Sequence, residues 1–391
     1  MTHRRFAVAA GLLMAAIAWP SVAQAQTRMA TTVPGAKRPW VTLRLYEAVD
    51  REPGDNATYA GAQIDVVRRF TRPRVAVTGA MRSRLRWQGS GRPAGTDAHA
   101  GSVQIEARLS ARTRLTADQQ VLYAPRPSDE WTATGGLMTG VAMTTQVGLS
   151  REVTRRTDTA LTYRADRIQF SGGSRTAMTQ AVAAGVSRDI TRRLTLRVQA
   201  QHGWSSNTGG AVSTTLRTDA AEVQVKWQQS NTPGTTVTVR LAPTLSRTIQ
   251  RVNGVTAIDR TSIVYTGGLR ADRRITERRS VGLTYERSLT ALEGYDDPIV
   301  ADALGAHLDW NLGRVSMARF SIFYARGRTG LQASTARTRT FTLASSLGWN
   351  LTPRLSVVAE VGRHTFQVSD APQAGIRRTT LRAGMVWDAW R

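Results

Sequence analysis

Arg82, Arg84 and Arg86 alternate with Ser83, Leu85 and Trp87, so three guanidinium groups fall in succession on one face of an extended segment. Guanidinium binds carboxylate or phosphate through two parallel hydrogen bonds, and three like charges in file repel unless something negative meets them. No acidic run of matching length stands in either neighbouring stretch, so these three are expected to lack protein partners and to face an anion. Carried through the chain, the same parity collects Arg44, Arg108, Arg164, Arg197, Arg240, Arg270, Arg319 and Arg382, with Arg69, Arg114 and Lys226. It also collects Asp65, Glu106, Asp118, Asp166, Glu222, Asp272, Glu286, Asp309, Glu360 and Asp388. Such a face can brace itself with cross-strand ion pairs and still offer guanidinium groups to an anionic passenger. Taken singly, any one of these charges can equally serve only to solvate and balance the interior.

Catalytic chemistry has little support. His99, His202, His307 and His364 are scattered over different hairpins with no Ser or acidic residue at a catalytic spacing. Metal-ligand spacing, a phosphate-cradling glycine loop and a nucleophile elbow are absent from the sequence, and there is no cysteine. No chemical step and no cofactor are therefore expected.

What must position these residues is an extended chain that reverses at intervals of roughly 40 residues. The turns are Thr71-Arg72-Pro73-Arg74, Ser110-Ala111-Arg112-Thr113, Thr154-Arg155-Arg156-Thr157, Thr191-Arg192-Arg193-Leu194, Asn231-Thr232-Pro233-Gly234, Thr276-Glu277-Arg278-Arg279, Leu312-Gly313-Arg314 and Thr352-Pro353-Arg354. Each separates two stretches of about 10 to 14 residues with period-2 alternation, the length a tilted strand needs to cross hydrocarbon. Val75, Val77, Gly79, Met81, Leu85 and Trp87 mark one outward face, and Phe341, Leu343, Leu347 and Trp349 another. Eight hairpins with Trp40 to Val49 before them and Arg378 to Asp388 after them make eighteen strands. Sixteen follows if the weakly alternating stretches near Met178 and Ala303 are dropped.

Lipid requires every backbone donor to be paired, and only closure removes the edges of a sheet. The expected fold is therefore all-β, a transmembrane antiparallel up-and-down β-barrel with no plug. An even strand count returns both termini to the periplasmic rim, beside the turn arginines such as Arg155, Arg156, Arg192 and Arg193. Trp310, Trp349, Tyr163, Tyr265, Tyr285 and Tyr324 fall on the outward parity, where they form the aromatic girdles. The opposite connections, among them Ser246 to Arg260, read as extracellular loops too short to fold inward as a constriction.

Whole-chain properties agree with this. Residues 1–25 carry Arg4-Arg5, an apolar run from Phe6 to Trp19 and Ala23-Gln24-Ala25, the pattern of a Sec signal peptide. Residues 26–38 read as a periplasmic N-terminal segment and 39–391 as the barrel. With 33 Gly and only 7 Phe, the chain is poorly supplied for a packed core but sufficient for one apolar face per strand. The formal charge of +25 would ordinarily suggest nucleic acid, but export argues against it, and the basic residues are spread through every hairpin.

In strand count and Arg-rich lumen the chain resembles the outer-membrane β-barrels that accompany bacterial exopolysaccharide export, the alginate-export porin type. The resemblance is architectural and carries over no functional residue. It implies an outer-membrane conduit for an acidic polysaccharide or other anionic solute, set among outer-membrane lipid and lipopolysaccharide, with a periplasmic export partner below. A small-solute diffusion porin and a structural or adhesion barrel are the alternatives.

Overall fold

The computed structural model describes residues 41–52, 55–88, 95–124, 140–170, 176–209, 212–229, 234–290, 299–313, 315–329, 337–368 and 376–390. Residues 1–25, expected as a signal peptide, and the segment 26–38 lie outside them, as does Trp40. The first strands are β1 (Val41–Glu52), β2 (Asp55–Arg72), β3 (Val75–Gln88), β4 (Gly95–Arg108), β5 (Thr113–Ala124) and β6 (Gly140–Thr154). There follow β7 (Thr157–Phe170), β8 (Thr176–Asp189), β9 (Leu194–Gly209), β10 (Val212–Gln228), β11 (Thr235–Val252) and β12 (Val255–Thr276). The last are β13 (Arg279–Thr290), β14 (Ile299–Asn311), β15 (Ser316–Thr329), β16 (Arg337–Asn350), β17 (Leu355–Val368) and β18 (Ile376–Trp390). Each strand pairs antiparallel with its sequence neighbours, and β1 pairs with β18 as well as β2, so the 18-stranded sheet closes on itself.

The sequence turns fall between strands, on the rim that also carries both ends of the described chain; of the two at Asn231-Thr232-Pro233-Gly234 and Leu312-Gly313-Arg314, residues 231–233 and 314 lie outside the described residues. Their recurring Ser or Thr has a physical reason. The hydroxyls of Ser110, Thr154, Thr191, Thr276 and Thr352 each accept a hydrogen bond from the backbone N–H of the arginine two residues on, at 3.1–3.2 Å. The side chain thus satisfies a donor that the reversal leaves outside the ladder.

The stretches near Met178 and Ala303 are regular strands, β8 and β14. One loop is corrected: Ser246 to Arg260 is the upper part of a continuous hairpin, with β11 and β12 paired up to Val252 and Val255. Asn253 (φ 51°) and Gly254 (φ 82°) supply the two positive φ angles of a tight hairpin turn. Arg247 donates to both oxygens of Asp259, at 2.9 and 2.6 Å, bracing this extension.

Register decides which face each side chain takes. Exposed large apolar residues such as Leu241, Ile263, Leu343 and Trp349 cover the outside as a belt, while the ionisable residues singled out above point inward. The seam between the last and first strands is pinned by Tyr46, which lies between Gly384 on β18 and Gly61 on β2. A Cβ on Gly61 would strike the Tyr46 ring, and one on Gly384 would strike the Leu45 carbonyl oxygen and the Tyr46 Cβ. The ring lies over space that only glycine leaves open.

Candidate functional site

Five consecutive strands around this seam, β17, β18, β1, β2 and β3, carry a connected set of polar side chains in the lumen. Glu360 accepts from Arg44 on one oxygen and Arg382 on the other, both at 3.2 Å, so one carboxylate joins two guanidinium groups from the first and last strands. Arg82 donates to Asp65 at 2.5 Å, and Gln63 donates to the other Asp65 oxygen at 2.6 Å. Arg84 donates twice to the Gln63 carbonyl oxygen, at 3.3 and 3.1 Å. Arg86 lies 3.5 Å over the Tyr59 ring and Arg382 lies 4.7 Å over Tyr46, while the two tyrosines meet edge to face. Arg378 is buried on the same wall.

The expectation that Arg82, Arg84 and Arg86 lack protein partners is therefore corrected. Each is held by β2, through Asp65, Gln63 and Tyr59 in turn. The partners are not an acidic run, so they could not be seen as one in sequence. They are an acid, an amide and an aromatic ring that the register brings opposite or next to the arginines. Arg84 is only 5% exposed, so its charge acts on the lumen from a fixed position.

Elsewhere the lumen closes its charges locally. Arg164 pairs with Asp166 at 2.7 Å and Arg270 with Asp272 at 2.6 Å, each two residues on along its own strand. Arg240 lies between Glu286 at 3.1 Å and Glu222 at 3.8 Å, and Arg319 pairs with Asp309. Arg108 and Arg197 share the inward parity and make no ion pair or side-chain hydrogen bond among the described residues. The lumen is thus electrostatically lopsided. Among the described side chains of the seam wall Arg44, Arg82, Arg84, Arg86, Arg378 and Arg382 outnumber Asp65, Glu360 and Asp388, whereas Arg164, Arg240, Arg270 and Arg319 on the remaining arc each have a carboxylate beside them.

His99, His202 and His364 do find polar partners that sequence spacing hid. Ser83 Oγ lies 3.0 Å from His99 Nδ1, and Asp219 Oδ1 lies 2.6 Å from His202 Nδ1, both pairs on the outer face. Thr342 meets His364 at 2.9 Å inside the lumen. A serine without an acid on β3–β4 and an acid without a nucleophile on β9–β10 do not make a triad. No group of three His, Cys, Asp or Glu able to hold a metal occurs among the described residues.

No protein-family profile matches this chain, and no curated protein matches it. Among solved structures it is similar to the ferric-catecholate import receptor Fiu of E. coli, at 10% identity over 85% of this chain and 65% of that one, TM-score 0.44. It is similar also to the FrpB iron transporter of Neisseria meningitidis, at 9% over 86% and 63%, TM-score 0.48. With OpdO of Pseudomonas aeruginosa it shares 12% identity over 89% of this chain and 95% of the other, TM-score 0.46. The chain spans less than two thirds of the length of the first two. The barrel assignment rests on the closed strand pairing itself.

Proposed function

We propose that the chain forms a passive outer-membrane pore whose lumen favours small anionic solutes and performs no chemical step. The observation that carries this reading is the lopsided lumen, in which, among the described side chains, arginines outnumber carboxylates along the five-strand seam wall. Fixed cations on one wall of a low-dielectric tube lower the barrier for anions, and a wall that offers many weak contacts also lets them leave. The conduit for an acidic exopolysaccharide, with a periplasmic export partner, was motivated by a ladder of partnerless arginines. With Arg82, Arg84 and Arg86 anchored by β2, that motivation passes to the simpler pore.

Planar-bilayer recording tests it. We expect an open channel whose reversal potential in a KCl gradient shows anion preference, weakening as ionic strength rises. Cation preference, or no conductance from correctly folded protein, overturns the reading. Liposome swelling with sized uncharged sugars separates small-solute from polymer passage, because only the latter predicts entry of long oligosaccharides.

A further inference from the structure

One strand of the barrel outruns its neighbour. β12 is 22 residues long and β13 is 12, and their pairing stops at Gly267 opposite Arg287. From there Ser288, Leu289 and Thr290 of β13 pair with β14 only, while β12 stays with β11 up to the Asn253-Gly254 turn. The parting falls at two glycines. A Cβ on Gly267 would strike the Arg240 carbonyl oxygen and one on Gly268 the Tyr285 carbonyl oxygen, so β12 can leave β13 here only without side chains in the way. Beyond Gly267 the second edge of β12 has no ladder partner among the described residues. The outward residues of β13–β14 at this height are Arg287 and Asp302, 3.7 Å apart, so the wall has already left the apolar belt.

Which backbone groups face the open edge follows from alternation. The Arg274 N–H donates to the Gly234 carbonyl at 2.9 Å, on the β11 side, and no register shift interrupts the β11–β12 ladder between Asp259 and Arg273. Arg260, Ser262 and Val264 therefore bond to β11, and the N–H and C=O groups of Asp259, Thr261, Ile263 and Tyr265 turn to the open side. Pro243 agrees with this parity. It has no N–H to give, and it stands opposite Tyr265, one of the residues that turn away from β11.

Open edges in native sheets carry lysine, proline, a bulge or an inward charge that discourages pairing. Thr261-Ser262-Ile263-Val264-Tyr265-Thr266 has none of these, and it is a run of high β-propensity without charge or glycine. On its outward face Ile263 is 66% and Tyr265 is 72% exposed, in water rather than lipid. Asp259 is already held by Arg247 and asks for no cation. A second copy in the same membrane does not fit the edge. About a two-fold axis along the membrane normal the two edges meet in parallel at equal height, donor against donor.

We propose that the edge of β12 from Asp259 to Tyr265 docks an extended segment of another cell-surface protein, which adds as an antiparallel strand in the place that β13 vacates. The segment spans about 20 Å at roughly 3.4 Å per residue. It is uncharged, with apolar side chains beside Ile263 and Tyr265. Its position outside the cell rests on the outer-membrane reading above.

Hydrogen exchange with residue resolution tests this on the full chain, one copy per phosphatidylcholine nanodisc. The amides of Thr261, Ile263 and Tyr265 should exchange at least tenfold faster than those of Ser262 and Val264. A capped peptide of alternating threonine and valine, ending in two lysines for solubility, should slow the three edge amides, and its fully N-methylated form should not. Joint Thr261→Pro and Ile263→Pro substitution removes two edge donors and spares the β11 ladder, so peptide affinity should fall at least tenfold with channel conductance unchanged. If that variant does not fold, Ile263→Lys is read by the same criteria. Edge amides as protected as Ser262 before peptide is added overturn the proposal, because residues 291–298, outside the described residues, or another part of this chain then cover the edge. Exchange that the peptide leaves unaltered overturns it too, as does equal binding by the variant. Peptide that binds in nanodiscs but not to intact cells overturns the surface partner and the topology together. Absent conductance with peptide binding intact overturns the pore reading alone.

Discussion

Glu360 ties the first strand to the last by accepting from Arg44 and Arg382, and Tyr46 fills the groove between Gly61 and Gly384 on the strands either side. Closure therefore depends on a few side chains at one seam. Glu360→Gln leaves two guanidinium groups facing an amide that can accept on one atom only. We expect it to destabilise the barrel by about 1–3 kcal/mol, seen as a lower urea midpoint in lipid, and to strengthen anion preference in the reversal potential. Gly61→Ala places a methyl group where the Tyr46 ring lies, and overpacking of that kind costs about 1–3 kcal/mol. An unshifted midpoint for both variants would mean that the seam is held by backbone pairing alone. The triple substitution Arg82→Gln, Arg84→Gln and Arg86→Gln keeps polar side chains against β2 but removes three positive charges. The anion-to-cation permeability ratio should fall several-fold toward unity while heat-modifiable migration of the folded barrel persists. A ratio that stays at the parent value shows that these arginines only brace the wall.

Each strand presents one face to lipid and one to the lumen, so neighbouring residues should differ sharply in what they tolerate. On β3, Val77→Arg is expected to cost about 2–4 kcal/mol and Thr78→Arg nearly nothing, measured as folded fraction in urea titrations in bilayers. Equal costs at Val77 and Thr78 would contradict the facing. On β16 the contrast is smaller, because Thr342 on the lumen side engages His364 at 2.9 Å and its replacement loses that bond as well as gaining a charge. Leu343→Arg should still be the more damaging change of the two. Period-2 alternation is legible wherever the outward residues are large and apolar, as on β3 and β16. It is weak on β8, where outward Gln180 and Ala184 alternate with inward Ala, and on β14, where outward Asp302 and Ala306 do. There the register is fixed by backbone pairing with the strands on either side.

At the level of the molecule, an even number of strands and eight short turns place Arg156 on the same rim as both described chain ends. In intact cells an Arg156→Cys probe should resist an impermeant maleimide that labels Val255→Cys, and react only after permeabilisation. Labelling of both from outside would reverse or dissolve the topology. Sixteen of the eighteen strands, the eight turns and the division into lumen and lipid faces were determined by the sequence alone, since each rests on local chemistry; β8 and β14 were settled by their pairing. A hydroxyl caps a reversal, and apolar and polar residues alternate because the two faces of one strand meet different solvents. The side chains that hold the closure, the charge balance and the partnerships were decided only by tertiary structure. Asp65, Gln63 and Tyr59 hold three arginines, and Glu360 bridges β1 and β18, because strand register sets residues from separate strands directly opposite or side by side. Sequence spacing records the period of one strand and carries no information about which rung of the next strand it will meet.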